Sequence, residues 1–154
     1  MKKIVFIFSL FLVVGSVVFA KDNYIRIEEK ISQCQRELGV SIKINSTGIR
    51  DVTTQARLMA NMTPRQLDMY DGGRPWYIVE MKACTLSGSA RIAEFERLIN
   101  RARDQRSFVS RHLDGDAVDI APSTSDVRRW LESNGISVTD ETEAGIQAWH
   151  LQLR

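Results

Sequence analysis

Residues Ser110–Ile120 read SRHLDGDAVDI. In that stretch His112 stands seven positions before Asp119, with Gly115 and Ala117 between them. Such a separation puts two side chains on opposite faces of a regular strand. They meet only if the chain bends, and Gly115 is the residue that permits a tight bend. Ala117 is small enough to let the backbone pass close to a bound ion. Asp119 lies inside the apolar run Ala-Val-Asp-Ile, where an unpaired carboxylate would cost several kcal/mol, and a metal ion is the partner that would justify it. The chain has 2 histidines, the other being His150 in the C-terminal segment AWHLQL. Two imidazoles and one carboxylate form a three-ligand set that suits a catalytic zinc ion with its fourth position open.

Around this stretch the hydrophobic pattern predicts a mixed fold. From Tyr24 to Leu38, Ile27, Ile31, Cys34 and Leu38 recur at helical spacing, and Gly39 fits the helix end. Val40 to Asn45 alternates as a half-buried strand does. Thr53–Met62 and Thr63–Tyr70 read as two short helices, with Thr63 capping the second and Pro64 as its first residue. Asp71-Gly72-Gly73 marks a turn, and Trp76–Met81 reads as a further strand. Ala90–Arg103 is amphipathic, with Ile92, Phe95, Leu98 and Ile99 on one side. Ala117–Ile120 is a short strand ended by Pro122. Ser125 then caps a helix carrying Val127, Trp130 and Leu131, closed by Gly135. Ile136–Val138 and Trp149–Leu153 are the last strands. No regular strand–helix–strand alternation is present, so the expected class is α+β: one small domain, an antiparallel sheet with helices packed on it, and the metal site in a cleft at the sheet.

Composition narrows the setting. Residues 1–20 have the layout of a secretory signal peptide: Lys2 and Lys3, an apolar run from Ile4 to Val14, then Val18-Phe19-Ala20 before Lys21. The apolar run is shorter than a spanning helix needs, so no stable membrane insertion is expected once it is removed, and residues 21–154 form the working domain. Loss of Lys2 and Lys3 takes the formal charge from +2 to 0, which gives no electrostatic case for a nucleic-acid or anionic-lipid partner. A monomer in the periplasm or cell envelope is the expectation. The 2 cysteines, Cys34 and Cys84, are expected to pair as a disulfide in an oxidising compartment.

The motif also resembles a family, the zinc D-alanyl-D-alanine carboxypeptidases and dipeptidases and the phage-type L-alanyl-D-glutamate endopeptidases. Their S-x-H-x-x-G-x-A-x-D signature is matched by Ser110, His112, Gly115, Ala117 and Asp119. A second histidine near the C-terminus is matched by His150, and an upstream S-G-x-R-T-x-x-x-Q element by Gly48, Arg50 and Gln55. The similarity runs from about Val40 to the end. It implies a zinc peptidase acting on peptidoglycan stem peptides, with His112, Asp119 and His150 as metal ligands. It also implies that Arg50 stabilises the oxyanion and that Ser110 supports the metal loop through hydrogen bonding. Many members carry a Glu or Asp three residues before the last histidine as general base; Gln147 stands there, and an amide cannot accept and return a proton. Glu143 or Glu141 would then serve, with Glu143 favoured as the nearer. Without a base, the same fold would be a zinc-containing module that binds stem peptides or a protein partner.

Overall fold

The computed structural model describes residues 23–46 and 49–154. The signal-peptide expectation falls on residues outside that range. Among the described residues six α-helices and a three-stranded antiparallel sheet form a small α+β domain, as expected. Residues 23–38 are helical (α1). Then come α2 (Val52–Ala60), α3 (Pro64–Leu67), α4 (Trp76–Ala83), α5 (Gly88–Asp104), β1 (Ala117–Ile120), α6 (Ser125–Ser133), β2 (Ile136–Asp140) and β3 (Trp149–Leu153). No described helix is long and apolar enough to cross a membrane.

The sheet order is β1-β3-β2, so the last strand lies in the middle. Its register fixes two unlike faces. Val118, Leu151 and Val138 stand opposite one another, as do Asp119, His150 and Thr139. Because strand side chains alternate, the first row joins Ile120, Ile136 and Trp149 on a face covered by Ile27, Ile31 and Cys34 of α1 and Val127 and Leu131 of α6. The second row is left on the opposite, polar face. A second core lies among α2, α4 and α5, where Met59, Tyr77, Ile78, Met81, Phe95, Leu98 and Ile99 are fully or almost fully buried. The domain thus has a sheet half and a helical half.

Several local expectations are corrected. Trp76–Met81 is helical, not a strand. Its β-branched and aromatic content suits a strand, but Tyr77, Ile78 and Met81 are the residues it buries, a spacing that one side of a helix provides and a strand does not. Val40–Asn45 pairs with β1 only at Ile44, opposite Ile120. The amides of Asn45 and Ser46 both turn onto the Asp119 carbonyl oxygen, at 2.8 and 3.3 Å, which ends the ladder. Thr124, not Ser125, caps α6, its hydroxyl accepting from the Val127 amide at 3.4 Å. The disulfide does not form: Cys34 is buried in the first core and Cys84 packs against the second, and both are free thiols. Thr63 behaves as expected, making a reciprocal capping box with Gln66 at the start of α3.

Candidate metal centre

The bend after His112 is made as the spacing requires. The Asp116 amide donates to the Arg111 carbonyl oxygen at 2.9 Å, and Gly115 between them takes φ +73°, a conformation glycine adopts without strain. The Ser110 hydroxyl accepts from the His112 amide at 3.3 Å and so braces the start of the turn. The His112 carbonyl oxygen accepts from the Arg50 amide at 2.9 Å, which ties the upstream segment to this loop. Asp119 and His150 come from paired positions on β1 and β3.

The result is a close triangle of donor atoms. His112 Nε2 is 3.0 Å from Asp119 Oδ1 and 3.2 Å from His150 Nδ1, and His150 Nδ1 is 3.1 Å from Asp119 Oδ1. The three residues form a set able to hold a metal ion. Protons alone satisfy this triangle poorly. Asp119 is acceptor only when ionised, and each neutral imidazole carries a single N–H. At most two of the three edges can then be hydrogen bonds, whereas a cation at the centre satisfies all three.

Arg50 completes the carboxylate. Its Nη2 lies 2.5 Å from Asp119 Oδ2, leaving Oδ1 to the imidazoles. Burial works to raise the Asp119 carboxyl, but both imidazoles and Arg50 outweigh it and hold the group well below the usual carboxylate range. Burial also keeps the His112 imidazole below its ordinary value, against the pull of Asp119. Both shifts favour the form that binds a metal: an ionised carboxylate beside a neutral ring. Replacing Arg50 with Ala would remove the outer partner of a candidate metal ligand. The expected result is a loss of about 10–100-fold in affinity for a divalent ion, read by competition with a chelating dye.

The triad opens into a cleft of about 1090 Å³ between the two halves of the domain. It is lined by His150, Thr139 and Gln152 of the sheet and by Leu58, Met62 and Tyr70 from the helical half. Glu141 and Glu143 both line it, but they are placed differently. Glu141 follows directly on β2, its amide donating to the Ala148 carbonyl oxygen at 3.1 Å, and is partly buried. Burial and the neighbouring Asp119 charge push its carboxyl up to about 7. Glu143 is exposed on the short turn Thr142–Ala144, where its carbonyl oxygen accepts from Arg65 Nη2 at 3.1 Å. Gln147 is exposed, with its carbonyl oxygen accepting from Asn45. Trp149, despite adjoining His150, faces the first core.

Sequence reasoning did not assign a role to Tyr70 or Gln55. Gln55 is fully buried and accepts from Arg50 Nη1 at 3.3 Å while donating to the Tyr70 hydroxyl at 3.1 Å. The signal for Gln55 was its five-residue spacing from Arg50; Tyr70 carried none. No family model, no curated protein and no solved structure matches the chain.

Proposed function

We propose that this chain is an exported zinc peptidase, working as a monomer, that hydrolyses an amide bond in peptidoglycan stem peptides. The observation that carries the reading is the triangle of two imidazole nitrogens and one carboxylate oxygen. A tetrahedral zinc ion with bonds of about 2.0–2.1 Å holds its donors about 3.3–3.4 Å apart, and the edges here are 3.0–3.2 Å. Two imidazoles and one carboxylate also suit a catalytic zinc ion, which takes three protein ligands and leaves one position for a water or substrate. Bound there, zinc would supply Lewis acidity toward a carbonyl group and toward the attacking water.

The chain's own residues supply the rest. Glu141, with a carboxyl near neutrality, accepts the proton of the attacking water and returns it to the leaving amine. Its placement favours it over the exposed Glu143. Arg50 fixes Asp119 through Oδ2 and keeps a positive charge in the cleft. The resemblance of the Ser110–Asp119 motif to the stem-peptide enzymes, and the export segment, support the choice of substrate and the periplasm or envelope as its place.

The test is a digest of purified peptidoglycan by the mature protein, with fragments identified by mass spectrometry. New amine termini that appear with zinc and vanish with chelator support the proposal, and the fragment masses name the bond. Gln147 favours a second reading, a zinc-containing module that binds without cutting. Intact wall together with tight muropeptide binding would select that one.

A further inference from the structure

Gln55 carries an orientation that its neighbours leave no freedom to reverse. An arginine has donors and no acceptor, so the atom of Gln55 facing Arg50 Nη1 at 3.3 Å must be its carbonyl oxygen. Its amide nitrogen then faces Tyr70 and donates to the hydroxyl oxygen at 3.1 Å. With Gln55 fully buried, this arrangement is fixed inside the protein. The Tyr70 oxygen is therefore an acceptor toward Gln55, and its own proton must point elsewhere. Among the described residues no acceptor for that proton is found. Tyr70 lines the same cleft as the triad, and it lies within electrostatic reach of Glu141, Arg50 and Asp119.

We infer that Tyr70 donates its O–H to the carbonyl oxygen of the peptide bond under attack and to the oxyanion that oxygen becomes. The role rests on the peptidase reading above and adds a residue to it. Arg50, to which the family resemblance gives the oxyanion, holds Asp119 with Nη2 and Gln55 with Nη1, so two of its five N–H donors are committed before substrate binds and Tyr70 adds a further donor to the cleft. Tyr70 meets the requirement of a preorganised donor, because Gln55 holds the oxygen before substrate arrives. Burial, which pushes the phenol up to about 12, keeps the proton on it at any working pH. Gln55 thus acts as a positioning residue, coupling the Arg50–Asp119 pair to the Tyr70 donor.

Tyr70→Phe tests this while keeping the ring that packs against the second core. Zinc stoichiometry and melting temperature should stay at wild-type values. On the bond that the wild-type protein cleaves, kcat should fall about a hundredfold with KM little changed. A readout free of turnover is the affinity for the phosphinate analogue of the cleaved dipeptide, whose P–O⁻ stands where the oxyanion forms. It should weaken about tenfold or more, while affinity for the peptide product is unchanged. Wild-type kcat and phosphinate affinity in Tyr70→Phe overturn the role, as does equal weakening of product and phosphinate. A zinc-loaded wild-type protein that leaves every stem peptide intact instead sinks the peptidase reading, and this role with it.

Discussion

His112→Ala should leave a folded protein that retains no zinc and has no measurable hydrolytic activity. Replacing outer partners of metal ligands costs about 10–100-fold in affinity; loss of one ligand of three should cost at least about 10³-fold. The remaining pair, Asp119 and His150 at 3.1 Å, still has Arg50 on the carboxylate, so no buried charge is stranded. The fold therefore survives, and circular dichroism should match wild type. Metal analysis by mass spectrometry reads the loss. An equivalent of zinc persisting in the variant would show that these three residues are not the ligand set.

Glu141→Gln should lower kcat by about 10²–10⁴-fold and keep zinc, whereas Glu143→Gln should behave as wild type. The pH dependence has a definite sign. A general base works ionised, so kcat/KM rises with pH through the Glu141 pKa, which burial and Asp119 push up to about 7 in the metal-free protein. A cation at the triad opposes Asp119 and moves that limb to lower pH. Stability of the metal-free protein runs the other way. A carboxyl whose folded pKa is raised costs nothing below its unfolded value near 4.3, destabilises increasingly as pH rises toward about 7, and keeps that full cost above it. Glu141→Gln should thus raise the melting temperature of the metal-free protein at pH 8 and leave it unchanged at pH 4. Equal melting temperatures at both pH values would place Glu141 in ordinary solvent contact and remove it from the mechanism.

The triad was legible in the sequence because its signals are local and costly: a carboxylate inside an apolar tetrapeptide, and a glycine where the chain must turn. The sheet was legible for β1 and for β3, whose bounds are those read from the sequence. Trp76–Met81 misled because residues rich in β-propensity were recruited into a helix by α5, a decision taken by tertiary packing. The acid was harder to place. Reading β2 as ending at Val138 leaves both glutamates on a loop. The ladder runs on to Asp140 opposite Trp149, and that extension delivers Glu141 to the cleft. Tyr70 left no local trace, since its part depends on Gln55 reaching it across 15 positions of chain.

The central place of β3 sets an order of events. Among the described residues β1 and β2 are not paired with each other; each is joined to the sheet through Trp149–Leu153, and β1 has beside that only the bridge from Ile120 to Ile44. Until that terminal segment slots in, there is no sheet to present Asp119, and His150 has not arrived to join His112. A one-residue slip of the strand would turn His150 into the first core and Leu151 toward the cleft. Ion capture at the triad would therefore reward only the register that sets His150 beside Asp119.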